Sequence, residues 1–408
     1  MAERVLVLFD DAVARDWQPF TLTRPAGELL FGTLTLRERA ERVFGLRCMG
    51  CITEPSLRSF AEADAPPVIE PAALPRDAEV LFWSARAVPD WGPGLRLDGP
   101  RLLALGDEVC GLVLPAGADP PAAGFFLDPT RAAPAGVAVT TLAGTLLGPI
   151  WQLVSRQAEQ TAHDIRALHP LAKSPELPAG VHALGSEPLV LGEGVRLEPG
   201  VIFDLHEGPI WLDQDVEVRA FTRLAGPAFV GRNSILLGGS CAAIAVGPVC
   251  RVHGEMEETV VLGYSNKAHD GFLGHAYLGR WVNLGALTNN SDLKNNYGPV
   301  RLWTPRGEQD TGEIKLGCFL GDHVKTGIGT LLSTGTVVGT GSNIFGAAMP
   351  PKYVPPFSWG TGEALGEYEL EKFLKTAETV MGRRKVTLTA EQRELLRAAW
   401  QRGRGRTG

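Results

Sequence analysis

The spacing of apolar and polar positions changes character partway along the chain. Up to about residue 150, short apolar runs alternate with one amphipathic segment. Val5–Phe9, Glu79–Trp83 and Val109–Leu114 are compact runs of the kind that form buried strands. Over Leu34–Phe44, the apolar Leu34, Leu36, Ala40, Val43 and Phe44 are interleaved with Arg37, Glu38, Arg39, Glu41 and Arg42, and Gly45 stands at a stop position, which predicts a helix. These elements predict an α/β domain over residues 1–150. A second helix is predicted from Ile150 to about Leu168, ended by His169-Pro170. The stretch 170–180 (PLAKSPELPAG) reads as a Pro-rich linker, so 151–183 joins two domains.

Beyond the linker the period becomes six. Leu212, Val218, Leu224, Val230 and Leu236 recur at that interval, and four residues after the first four come Val216, Thr222, Ala228 and Ser234. Leu191 and Leu197 precede them in phase, with Val195 and Val201 as partners. Leu320, Thr326, Leu332, Val338 and Ile344 repeat the spacing, with Gly321, Gly327, Ser333 and Gly339 directly after four of them. A helix of 3.6 residues per turn cannot use this period. A β-solenoid can, with one short strand and one corner per hexapeptide and coils stacked about 4.8 Å apart. Chance periodicity is the competing explanation, and the same offsets in two separated blocks weigh against it. A parallel β-helix is predicted over 184–348. Its register breaks near His269–Leu273 and over 289–313, where a polar excursion is expected to loop out and reach a neighbouring copy. Function is expected at such breaks, because repeat positions are committed to packing. After Pro350-Pro351 the β-helix is expected to end. In 349–408, Leu365–Met381 and Thr389–Trp400 read as helices and Gln401–Gly408 as a disordered tail.

Composition narrows the function classes. The 408 residues carry 39 Lys+Arg and 46 Asp+Glu, a net charge of −7, with no long basic block, which argues against nucleic acid as a partner. The 49 Gly and 30 Pro suit many short elements joined by turns and disfavour a helical bundle. Cys48 and Cys51 form a single CxxC with no second pair, so no metal site is expected and the six cysteines read as thiols of a reducing cytoplasm. The N-terminal MAERVLVLFDD lacks the apolar core of a secretory signal, and the most apolar stretch, Leu142–Val154, is too short for a membrane span. A cytoplasmic protein with no membrane partner is expected.

Gly254–Ala286 (GEMEETVVLGYSNKAHDGFLGHAYLGRWVNLGA) resembles the acetyltransferase core of the bifunctional UDP-N-acetylglucosamine pyrophosphorylase/glucosamine-1-phosphate N-acetyltransferase family. The whole chain is similar to a divergent bacterial branch described as sugar nucleotidyltransferases. Asp10-Asp11, Pro19–Pro25, Thr35–Glu38, Asn266–Phe272, Leu293–Tyr297 and Phe357–Gly360 carry that likeness. The resemblance implies a reduced nucleotidyltransferase-like α/β domain followed by a left-handed β-helix acyltransferase-like domain. It also implies a homotrimer, acetyl-CoA as acyl donor bound between adjacent shafts, and a small-molecule sugar phosphate or nucleotide sugar as substrate.

Acetyl transfer to a sugar amine needs a base, oxyanion donors and partners for the phosphate. By resemblance His269 matches the base, Asn296 and Tyr297 a sugar-binding pair, and Asn283 a further sugar contact. Glu255 matches an acid near the sugar and Arg251 a phosphate-binding arginine, while Lys267 and Lys294 are nearby cations for phosphate. Phe272 stands where the family has a tyrosine and Glu257 where it has a lysine, and both changes weaken phosphate binding. His275 and His323 are expected on the shaft surface without a catalytic role. In the N-terminal domain Arg24 and Arg37 are the phosphate candidates, with helix-surface or ion-pair roles the equal alternative for both. The Gly-rich loop expected after a first nucleotide-binding strand is replaced by Asp10-Asp11, and Ser84-Ala85-Arg86 stands where a metal-binding Asp is usual. At most weak pyrophosphorylase activity is expected, with Mg2+ needed only if that domain is active. Three readings compete: an acetyl-CoA-dependent N-acetyltransferase, a sugar-1-phosphate nucleotidyltransferase with the β-helix as oligomerisation scaffold, and a non-enzymatic nucleotide-sugar sensor or scaffold.

Overall fold

The computed structural model describes residues 4–92, 99–172 and 175–404. The N-terminal part is built on a six-stranded sheet in the order Cys48–Ile52, Arg4–Phe9, Glu79–Ser84, Glu108–Leu114, Arg101–Leu105, Val139–Leu142. The first three strands run parallel. Both faces are covered, with Leu6, Leu8, Leu81 and Trp83 on one side and Val7, Phe9, Val80 and Phe82 on the other. Two-sided burial is why these strands read as continuous apolar runs. The helix Leu36–Phe44 starts at a capping box between Thr35 and Glu38 and stops at Gly45 in the left-handed conformation.

The predicted helix 150–168 is two pieces, Gln152–Ser155 and Gln157–Leu168. It is less a linker than a latch. Fully buried Asp164 takes both arms of the Arg39 guanidinium at 2.6 and 2.5 Å, and Gln157 donates to the carbonyl of Ala243 in the solenoid.

From His182 the chain winds into a parallel β-solenoid, one wall of which has nine strands in sequence order. Leu212, Val218, Leu224, Val230, Leu236, Leu320, Leu332, Val338 and Ile344 all lie in its core, each no more than 2% exposed. Coil length varies. Leu212 pairs with Val230 and Leu320 with Val338, 18 residues on in each case, but Val246 pairs with Val261, only 15 residues on. The shaft runs past its expected end at 348, because Tyr353–Val354 and Ser358–Thr361 form a further coil. Leu365–Glu367, expected as helix, pairs antiparallel on that coil, and the helices are Leu370–Gly382 and Ala390–Arg404. The tail expected to be disordered is thus helical as far as Arg404, and 405–408 lie outside the described residues.

One corner of the shaft is a ladder of left-handed residues. Asp215, Asn233, Val249, Tyr264, Trp281, His323 and Phe357 all have φ between 55° and 64°. Each amide bonds to the corner of the previous coil, as from Tyr264 to the Pro248 carbonyl and from His323 to that of Arg280. Side chains at equivalent corners therefore stack. Tyr264 lies on Trp281 at 4.5 Å, Trp281 on His323 at 6.2 Å, and Phe373 of the C-terminal helix caps His323. His323, expected on the surface, is 6% exposed, and burial holds its imidazole well below its ordinary pKa. His275, at another corner, is also buried.

The excursion expected to loop outward instead folds back. Asn289–Asn290 still pairs with Leu331–Leu332, and the departing segment makes the hairpin Arg301–Thr304/Gly307–Asp310. Val300, Leu302 and Leu316 join a core shared with Trp17, Phe20 and Tyr277. Arg306 pairs with Asp16, and Trp303 stacks on Tyr353 at 3.7 Å. Among the described residues no helix is long and apolar enough to cross a membrane.

Candidate functional site

On one outward ladder of the shaft, Arg251, Asn266, Asn283, Lys325 and Asn343 stand on successive coils in register. The hexapeptide pattern makes this happen. Val252, Thr326 and Ile344 point inward, so their preceding neighbours point out. Asn266 donates to Asn283 Oδ1 at 3.2 Å and accepts from Arg384 Nη2 at 2.5 Å. Arg251 donates to the carbonyls of Asn233 and Cys250 at 3.1 and 2.9 Å. Burial and the nearby Arg384 charge push the Arg251 guanidinium below its ordinary pKa, and burial takes the Lys325 amine down to about 8. Among the described residues no carboxylate lies within ion-pair distance of Arg251, Arg384 or Lys325. Three cations and three carboxamides thus share one face, the group types that pair with anionic and hydroxyl-bearing ligands.

The turn bearing His269 adjoins this stripe. It leaves the ladder at Asn266–Lys267 and returns at Phe272–Gly274, both paired to Arg251–Glu257. Lys267 occupies an inward position beside Val252 and is 4% exposed, and burial lowers its amine to about 8. Its Nζ donates to the carbonyls of His253 at 2.8 Å and His269 at 2.7 Å. The expected phosphate contact is thus corrected: Lys267 holds the turn from beneath. His253 Nε2 lies 3.0 Å from Asp270, and the Leu287 amide donates to the Asp270 carbonyl at 2.9 Å. A Cβ at Gly271 would come 2.2 Å from the Thr288 carbonyl, so the close approach of coils requires glycine. His269 and Glu255 are exposed on this pinned framework.

The structure does not join Asn296 and Tyr297 to that framework. Asn296 Oδ1 accepts from the Gly298 amide at 3.1 Å, Lys294 Nζ donates to the Pro299 carbonyl, and Tyr297 is 69% exposed. Among the described residues no hydrogen bond links this turn to the His269 turn. Asn266, Lys325 and Arg384 had not been singled out. Register alone places the first two beside Asn283, while Arg384 arrives from the turn between the C-terminal helices and left no local signal.

Both N-terminal phosphate candidates take the ion-pair alternative in the structure. Arg24 is 1% exposed and bonds Asp322 at 2.7 Å and Glu62 at 3.0 Å. Arg37 bonds Glu28 at 2.6 Å and Glu41 at 2.7 Å. Both charges are neutralised inside the protein. Asp11 caps the helix Ala12–Arg15 and takes Arg86 at 2.5 Å. Asp10 accepts from the Ala26 amide and Thr53, and burial pushes its carboxyl up to about 6.

Residues 6–170 match the family model described as sugar nucleotidyl transferase. A 95-residue stretch is 30% identical to a bifunctional sugar-1-phosphate nucleotidylyltransferase/acetyltransferase of Sulfurisphaera tokodaii. It covers 23% of this chain and 24% of that relative, so the match spans about a quarter of the relative's length. A solved structure of an Arabidopsis UDP-N-acetylglucosamine acyltransferase aligns over 55% of this chain and 94% of its own, at 12% identity and a TM-score of 0.30.

Proposed function

We propose that the protein is a transferase whose solenoid moves an acetyl group from acetyl-CoA to the amine of an amino-sugar phosphate or nucleotide sugar of the glucosamine-1-phosphate kind. The observation that carries this reading is an exposed imidazole on a pinned turn beside a stripe of carboxamides and of cations that, among the described residues, have no carboxylate partner. Phosphate would meet Arg251, Arg384 and Lys325, and sugar hydroxyls would meet Asn266, Asn283 and Glu255. His269 takes the proton from the attacking amine, the new C–N bond forms as the thioester C–S bond breaks, and the proton leaves with the CoA thiolate. The 95-residue likeness to a relative named as a bifunctional sugar-1-phosphate nucleotidylyltransferase/acetyltransferase is compatible with this class and equally with nucleotidyl transfer. In this reading three left-handed shafts assemble side by side with acetyl-CoA between them, and Asn296 and Tyr297 stand where a neighbouring copy can use them.

The match of residues 6–170 to a nucleotidyl transferase family favours a second reading, nucleotidyl transfer in the N-terminal domain with Mg2+. The internal pairing of Arg24, Arg37, Asp10 and Asp11 argues against a working phosphate site there. One experiment separates the two. Purified protein is assayed with glucosamine-1-phosphate and acetyl-CoA, and separately with UTP or dTTP and a sugar-1-phosphate. Acyl transfer is expected in the first arm, and His269→Ala should lower its turnover by roughly 10²–10⁴ with unchanged melting. Acyl transfer within a few-fold of wild type removes His269 as the base. Activity in the second arm alone makes the solenoid a scaffold, and silence in both supports a non-enzymatic sensor.

A further inference from the structure

His275 occupies a left-handed corner, φ 48°, directly above Glu258, φ 42°, in the coil before. Its amide bonds to the Glu257 carbonyl at 2.9 Å, so the solenoid backbone fixes the two side chains in register. His275 Nδ1 lies 2.8 Å from Asp292 Oδ2, the partner that leaves a proton on Nδ1. Nε2, the other ring nitrogen, faces Glu258 Oε2 at 3.4 Å. Glu257 completes the group, and the donor atoms of Glu257, Glu258 and His275 lie within 4.8 Å of one another. Three carboxylates, Glu257, Glu258 and Asp292, are gathered around the His275 ring, and the cation beside them, Lys315, lies 3.4 Å from Glu257 with both partners nearly half exposed. Exposure of the side chains rises from 7% at His275 through 37% at Glu258 to 40% at Glu257, which leaves an open approach.

From this geometry we infer a binding site for one borderline divalent transition-metal ion of the zinc or cobalt kind, held by His275 Nε2, Glu257 and Glu258 and oriented by Asp292. One imidazole and two carboxylates, with a carboxylate on the far ring nitrogen, is the donor set such ions favour, and water fills the remaining positions. Mg2+ and Ca2+ prefer all-oxygen sites and are excluded by the imidazole. The bound ion displaces Lys315 from Glu257. It ties two solenoid coils to Asp292, at the stem from which the excursion departs.

The test uses the untagged full chain, stripped with chelator and titrated with Co2+ and Zn2+ by calorimetry, with Co2+ also followed by its visible absorption. One equivalent is expected, undisturbed by millimolar Mg2+, with a rise in melting temperature. His275→Gln should abolish it, Glu258→Gln should weaken it, and Asp292→Asn should weaken it by roughly 10- to 100-fold. Because Glu258 is the more exposed ligand, its variant tests the site even if His275→Gln fails to fold. Absence of stoichiometric binding by the wild type, or binding unchanged in Glu258→Gln and Asp292→Asn, overturns the site.

Discussion

Replacing Asp322 by Asn probes the joint between the two halves of the chain. Asp322 is 3% exposed and accepts from Thr23 Oγ1 at 2.8 Å, from Arg24 Nε and Nη2 at 3.2 and 2.7 Å, and from the Arg280 amide at 2.8 Å. Glu62 bonds both Arg24 and Arg280, the latter at 2.6 Å, so two guanidinium groups face two carboxylates. Burial opposes the ionised Glu62, but Arg24 and Arg280 overcome it and hold its carboxyl below the ordinary value. Asparagine keeps the volume and removes one charge, leaving a net positive charge with little water to screen it. Breaking a buried pair from one side costs about 3–5 kcal/mol. At about 2.1 cal/mol/K per residue, 408 residues give an unfolding entropy near 0.9 kcal/mol/K, so the melting temperature should fall by roughly 4–6 °C. Arg24→Met should cost a similar amount. The double variant restores balance, with Glu62 still paired to Arg280, and should lose less than the sum of the singles by about 2 kcal/mol or more. Melting followed by circular dichroism reads all three. A shift under about 1 °C for Asp322→Asn, or strict additivity, refutes the reasoning.

Two further outcomes follow from burial. Leu224→Ala, at a fully buried shaft position, should cost about 3–5 kcal/mol in a urea titration, while Leu287→Ala at an exposed corner should cost under about 0.5 kcal/mol; equal losses would contradict the inward register. Asp10, raised from 3.8 to about 6 by burial against its bonds from Thr53 and Ala26, keeps in the native state a proton that the unfolded chain releases, so stability should fall by up to about 3 kcal/mol as pH rises from about 4 to 6. Asp10→Asn should flatten that slope in urea midpoints at pH 4.5 and 7, and an unchanged slope excludes Asp10 as its source.

The solenoid was legible because inward positions recur without regard to what the corners do. Leu212 to Leu236 and Leu320 to Ile344 report the shaft directly. Between them coils shorten to 15 residues, since a corner can drop residues while its strands stay paired, and the six-residue phase disappears although the fold continues. Corners are also where the histidines were misread. A hexapeptide pattern marks His275 and His323 as non-core, but left-handed corners stack side chains from successive coils into buried columns. For Arg24 and Arg37 the sequence left phosphate binding and ion pairing open, and the structure shows ion pairs. For Arg24 nothing local reveals a buried carboxylate 298 residues away, whereas for Arg37 the i,i+4 partner Glu41 was within the same helix.

The same pairings explain what the N-terminal domain does for the shaft. Arg24, Arg37, Asp10 and Asp11 all have intramolecular partners, and Arg24 reaches across to the solenoid, as do several of its neighbours. Arg24 and Thr23 hold Asp322, the Pro19 carbonyl accepts from Thr340 at 3.1 Å, and Tyr277 donates to the Leu30 carbonyl at 3.0 Å. Phe20 packs on Tyr277 at 4.5 Å within a core that also takes the excursion through Val300 and Leu302. A parallel solenoid with one flank covered this way loses that wall as a surface for other contacts. The ladder of Arg251, Asn266, Asn283 and Lys325 lies on a different wall from the one that carries Tyr277 and Phe319. The N-terminal domain therefore packs on one wall of the shaft, while the ladder of Arg251, Asn266, Asn283 and Lys325 and the adjoining His269 turn belong to another.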